Sequence, residues 1–210
     1  MTRTPLRRTT AAFATLLLAG TLAACGDDEP AAAPTDGTTS AAPSGSPTEP
    51  ADESPSEPAT DGDRIEGQGY SYGLPDGWED GTERFQAMSP LLDTGALDSD
   101  ASAGFADNVN VIRNETYPEM TLEEAEQQFS EEARTVSEQV RVREQSEIGG
   151  ETAIHISGRT AMGNEKVRTE QYSLYHDDAW YVVTFSFAQQ TSGPDAEADM
   201  STVLGSWEWS

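Results

Sequence analysis

Few side chains in this chain are suited to covalent or metal chemistry. There are two histidines, His155 and His176, and a single cysteine, Cys25. A serine hydrolase needs a nucleophile whose proton passes to a histidine oriented by a carboxylate. His176 stands beside Asp177 and Asp178, and His155 lies between Ile154 and Ile156, yet no Gly-x-Ser-x-Gly elbow is present to offer a serine to either. Zinc takes three or four nitrogen, sulfur or oxygen ligands, and the sequence brings no such set close together. Asp98, Asp100 and Ser102 have the spacing that opens a calcium loop, and Asp93 and Asp107 could add oxygens. The glycine falls one place late, at Gly104, and Val109 stands where that loop requires a bidentate glutamate. These acids read as a solvated loop, and no glycine-rich phosphate loop is present. The expectation is a chain without catalytic residues, metal or cofactor.

Cys25 is explained by its position. Arg3, Arg7 and Arg8 precede an uncharged, mostly apolar run from Ala11 to Ala24. That run is too short to span a hydrocarbon core, which takes roughly 20 residues, and it has the length of a secretory signal. It ends in Leu22-Ala23-Ala24-Cys25-Gly26, which resembles the lipobox of bacterial lipoproteins. The resemblance implies cleavage between Ala24 and Cys25, with small residues at Ala23 and Ala24 and the apolar Leu22 fitting the peptidase site. It also implies a diacylglyceryl thioether on Cys25. Each buried methylene contributes roughly 0.8 kcal/mol, so two acyl chains hold where one does not. Being the only cysteine, Cys25 also excludes an internal disulfide.

Charge narrows the partners. The formal net charge is −26, and beyond residue 24 there are nine basic and 38 acidic residues. Such a chain is repelled by phosphate backbones and anionic headgroups. Nucleic-acid binding and electrostatic adhesion to a membrane are therefore not expected.

The segment after the cysteine has its own composition. Residues 26–63 hold seven Pro, ten Asp or Glu, no Lys or Arg, and no Leu, Ile, Val, Met or aromatic residue. Such a stretch cannot bury enough apolar surface to offset its ordering entropy. It reads as a disordered tether, and residues 64–210 as one folded domain.

Within that domain, alternation marks strands. Val140, Val142 and Ile148 share one parity, with Arg141, Arg143 and Glu147 on the other. Gly149-Gly150 forms a hairpin turn. Ile154 and Ile156 then alternate with His155, Ser157 and Arg159. A turn at 161–164, a strand over 167–175, a turn at Asp177-Asp178 and a strand over 180–187 complete a meander. Tyr181, Val183, Phe185 and Phe187 share one face of the last strand. Earlier strands are expected at 70–74, 84–88 and 108–113. Thr121 and Glu124 have capping-box spacing, and Leu122, Ala125, Phe129, Ala133 and Val136 follow as one helical stripe. A second helix starts at Pro194 and presents Met200, Val203, Leu204 and Trp207. The expected fold is α+β: an antiparallel sheet of about six to seven strands packed by two helices. Residues 89–106 fit neither element. Two readings stand: Leu91, Leu92, Leu97 and Phe105 fold back onto the core, or they line an apolar groove for a ligand or partner.

The segments Tyr70-Ser71-Tyr72-Gly73-Leu74-Pro75-Asp76-Gly77-Trp78 and Phe105-Ala106-Asp107-Asn108-Val109-Asn110-Val111, the capped helix from Thr121, and Gly149-Gly150 resemble the LpqN/LpqT family of actinobacterial lipoproteins. The resemblance covers residues 66–209 and implies a PsbP-like fold. It brings no catalytic motif. It implies a non-enzymatic binding or assembly module, lipid-anchored to the outer face of the cytoplasmic membrane and facing the cell envelope. The partner would be an envelope protein or a lipid or glycolipid ligand. A carrier with an apolar cavity is the alternative, and a hydrolase ranks third.

The anchor is directly testable. Cys25→Ser is expected to move the protein from the membrane fraction to the soluble fraction, with the circular dichroism spectrum unchanged. Retention of the variant in washed membranes would refute the anchor.

Overall fold

The computed structural model describes residues 63–99, 104–163 and 165–210. The signal segment, the lipobox with Cys25, and the tether up to residue 62 lie outside the described residues.

In chain order the elements are β1 (Arg64–Gly67), β2 (Tyr70–Gly73), β3 (Trp78–Asp80), α1 (Thr82–Met88), β4 (Leu92–Asp98), β5 (Asn108–Asn114), α2 (Leu122–Val136), β6 (Glu138–Val142), β7 (Ser146–Ile148), β8 (Glu151–Met162), β9 (Glu165–His176), β10 (Ala179–Phe187), α3 (Gly193–Gly205) and β11 (Glu208–Trp209). The class is α+β, as expected. The main sheet runs β3-β4-β5-β10-β9-β8-β6, with β7 also paired to β8. Its strand pairs are antiparallel. A second, three-stranded sheet runs β1-β2-β11.

β10 is central, and all nine of its residues are buried. Tyr181, Val183, Phe185 and Phe187 point to one face and join Val109, Val111, Leu174, Val203 and Trp207. This face is covered by α3 and the small sheet. Trp180 and Val182 point to the other face. Trp180 meets Ala125, Phe129 and Ala133 of α2 with Ile154 and Ile156. Val182 meets Phe85 of α1 with Leu92, Leu97 and Ile112. Fully burying one such side chain contributes roughly 1.5–3 kcal/mol.

α2 starts as its sequence dictates. The Thr121 hydroxyl accepts from the Glu124 N–H at 3.3 Å, and the Glu124 carboxylate accepts from the Thr121 N–H at 3.1 Å. The middle of its stripe is buried, while Leu122 and Val136 at its ends remain 38% and 36% exposed. The α3 cap is Ser192, whose hydroxyl accepts from the Asp195 N–H.

Three readings of the sequence are corrected. Residues 84–88 belong to helix α1, not to a strand. The helix lies so close to β4 that a Cβ on Gly95 would sit 2.3 Å from the Phe85 ring, so Gly95 is what lets Phe85 reach the sheet. Residues 92–98 are a strand rather than a loop. β4 is covered on both faces from Leu92 to Leu97, so it carries no alternation to read. The shared parity of Val140, Val142 and Ile148 breaks between β6 and β7. The pairing Val142 with Ile156 gives way to Ser146 with Ala153, one residue out of step. One extra residue turns every following side chain to the opposite face. Val140 therefore packs under α2, and Ile148 joins the core beneath α3.

Phe129→Ala is expected to cost about 3–5 kcal/mol, because it empties space between α2 and Trp180. Thr121→Ala should cost only about 1 kcal/mol, the loss of one cap. Urea denaturation of both variants would check the ordering.

Candidate functional site

Leu91, Leu92, Leu97 and Phe105 differ in burial. Leu92 and Leu97 are buried under α1 with Phe85, Ile112 and Val182. Leu91 is 51% exposed on the turn before β4, and Phe105 is half-buried. The fold-back reading describes the two core leucines. Residues 100–103 of this stretch, with Asp100 and Ser102, lie outside the described residues.

Asp93 and Asp107, the two acids that could have added oxygens to a cation site, bond neighbouring loops. The Asp93 carboxylate accepts from Gln68 N–H and Nε2 at 2.9 and 2.8 Å. Asp107 accepts from the Ala188 N–H and the Thr191 hydroxyl, both at 2.6 Å. Among the described residues no group of three His, Cys, Asp or Glu side chains converges on a possible metal position. Asn114 Oδ1 accepts from the Thr116 N–H at 2.7 Å and closes a turn after β5.

Both histidines sit in structural pairs. His155 Nε2 lies 2.8 Å from Glu170 Oε2, and its ring stacks on Tyr172 at 4.2 Å. His176 Nδ1 lies 3.0 Å from Glu151 Oε1, and its ring stacks on Trp209 at 3.9 Å. His176 borders an open cleft with Gln68, Arg113, Glu115, Tyr181 and Ser210, with a volume of about 330 Å³. Its polar groups are engaged with one another. Arg113 pairs with Glu115 and donates from Nε to the Tyr181 hydroxyl at 3.1 Å, which in turn donates to the Gln68 carbonyl at 3.3 Å. Tyr172, beside Glu170, has its phenol pushed up to about 12, chiefly by burial.

A further pocket lies between the C-terminal end of α2 and the sheet. It is bordered by Ala133, Val136, Val140 and Ile156, and also by Thr160, Thr169 and Thr184. Its cavity volume is about 10 Å³, room for roughly one water.

The remaining candidate is a charged face. Arg141 of β6, and Arg143 just beyond the strand, whose N–H donates to the His155 carbonyl, point to the same side of the sheet as His155, Ser157 and Arg159 of β8 and Lys166, Arg168 and Glu170 of β9. The register fixes this: Arg141 stands opposite Ser157, Ser157 opposite Glu170, Arg159 opposite Arg168, and Ala161 opposite Lys166. Five of the nine basic residues beyond residue 24 thus share one face of three adjacent strands. Alternation in the sequence already separates Arg141 and Arg143 from the valines. Only strand pairing adds Arg159, Lys166 and Arg168 to them.

No protein-family model matches the chain, and no curated protein matches it. Among solved structures, it is similar to LpqN of Mycobacterium tuberculosis, involved in cell envelope biogenesis, at 11% identity over 70% of this chain and 84% of that one, with a TM-score of 0.49. It is also similar to cyanobacterial PsbP from Synechocystis sp. PCC 6803, at 17% identity over 70% and 92% of the two chains, TM-score 0.47. A third likeness is to the Ran-binding protein Mog1p of Saccharomyces cerevisiae, at 11% identity over 72% and 96%, TM-score 0.49. No functional residue is carried over from any of them.

Acids crowd elsewhere. Asp199 on α3 is half-buried, and burial, followed by the charges of Asp107, Asp98 and Asp195, raises its carboxyl to about 6. A carboxyl that holds its proton more tightly in the folded than in the unfolded chain lowers stability as pH rises from about 4 through about 6. Asp199→Asn should therefore raise the thermal midpoint at pH 7, and the gain should vanish as pH falls toward 4. Parallel melts of both proteins across that range would check the sign.

Proposed function

We propose that this chain is an envelope lipoprotein of the LpqN/LpqT type, anchored by diacylglyceryl-Cys25, whose α+β domain binds a partner protein without catalysing a reaction. One observation carries the reading. The side chains able to do chemistry, His155, His176 and Asp107 among them, are engaged in bonds that hold the fold, whereas Arg141 and Arg159 of the β6-β8-β9 face are exposed. The lipobox at Cys25 and the uncharged run before it support the anchored location. Among the described residues no helix is long and apolar enough to cross a membrane, and the acidic segment 26–63 would hold the domain clear of the bilayer.

The test is cross-linking of the lipidated protein in its own cells, with bound proteins and lipids both identified by mass spectrometry. A stoichiometric envelope protein is the expected product. Recovery of a lipid or glycolipid alone would favour the carrier. Turnover by the purified chain that is lost in His155→Ala or His176→Ala would overturn the non-enzymatic reading.

A further inference from the structure

We infer that the β6-β8-β9 face is a docking surface for a short, extended acidic segment of a partner protein, with Asp or Glu at alternate positions. The inference rests on the binding-module reading above and names its chemistry.

The arrangement of charge is the first argument. Arg159 and Arg168 stand directly opposite each other across an antiparallel pair, where like charges destabilise a sheet. Arg141 and Arg159 are exposed and their side chains have no ion pair or hydrogen bond among the described residues. The Arg168 Nε is buried without a hydrogen bond, and its nearest carboxylate oxygen, Glu170 Oε1, is 3.8 Å away. The Arg168 guanidinium is held over the Phe187 ring at 5.1 Å, so it is positioned rather than loose. Opposing charge on the face is limited. Glu170 lies between His155 and Arg168, Glu138 pairs with Lys166 at 3.2 Å, and Arg143 donates to the Ser157 hydroxyl at 2.8 Å.

Edge protection does not account for the cluster. β6 is the last strand of the sheet, and charged residues on an edge discourage aggregation. β8 and β9 are interior strands, yet they carry three of the five bases. The bases therefore serve a face.

Spacing and screening specify the partner. Same-face residues on a strand are about 6.6–6.8 Å apart, and neighbouring strands about 4.7–4.9 Å. The face spans on the order of 10 by 13 Å, and acids at alternate positions of an extended peptide match the Arg141–Arg143 repeat. Arginine also favours bidentate contact with carboxylates. At physiological salt, fields decay over about 8 Å. A short acidic segment senses this face alone, whereas a long polyanion or an anionic membrane also meets the acidic remainder of a chain with net charge −26. β6 pairs with no described strand on its outer side, so an extended segment has backbone groups to meet there.

The test uses the full chain and a fluorescein-labelled peptide of alternating Glu and Val, read by anisotropy at low and high salt. Binding that falls with salt is expected, with a Gln/Val peptide failing to bind. Arg141→Gln/Arg143→Gln should weaken binding by about tenfold, the sum of two exposed charge contacts. Arg159→Gln should weaken it too, without lowering the thermal midpoint, since it removes a like-charge pair; a purely structural arginine would do the reverse. Arg84→Gln, on α1, should leave binding unchanged. Equal binding of the Gln/Val peptide, or equal loss in Arg84→Gln, would overturn the inference. So would binding to phosphatidylglycerol vesicles in place of the peptide. If the cross-linked envelope partner is captured equally by the Arg141/Arg143 variant, the binding-module reading stands and this docking surface falls.

Discussion

The fold depends on covering both faces of β10. A strand whose nine residues are all buried cannot face water on either side, so each side of the sheet needs its own layer. Trp180 and Val182 define where α2 and α1 sit, and Tyr181, Val183, Phe185 and Phe187 define what α3 and the small sheet must cover. The helices are placed by this requirement more than by their own propensities. α1 has only seven residues, too few to be stable alone in water. It persists because Phe85 plugs the sheet face left open by Gly95.

The small sheet closes the other side with aromatic rings. Tyr70 stacks on Trp207 at 4.4 Å and Tyr72 stacks on the same indole at 5.7 Å. The Tyr70 hydroxyl shares a 2.8 Å hydrogen bond with Thr94, and burial drives both phenols well above their ordinary range. β11 ties the end of the chain to β2, and Trp209 then supports His176. This packing explains why the polar cleft at His176 is already internally bonded. Its groups are the rim of an aromatic seam.

Electrostatics divides the domain in a way that net charge conceals. Net charge sums over the whole chain, whereas local fields are set by which side chains share a face. Acids gather around α3, where Asp199 is pushed toward neutrality, and bases gather on β6-β8-β9.

The sequence by itself determined the capped helix, the Gly149-Gly150 and Asp177-Asp178 turns, the alternation of β10, and the α+β class. These are local: each follows from a cap, from glycines at positive φ, or from the two-residue repeat of a strand. It also determined that Cys25 is the only thiol. Tertiary structure decided the rest. β4 was illegible because burial on both faces erases alternation. The opposite placement of Val140 and Ile148 was illegible because a single extra residue between strands has no signature in composition. The arginine face was half legible: alternation set Arg141 and Arg143 apart from their valines, but only cross-strand register puts Arg159, Lys166 and Arg168 on the same face, since residues up to 21 positions apart in the chain become neighbours through strand pairing the sequence does not display.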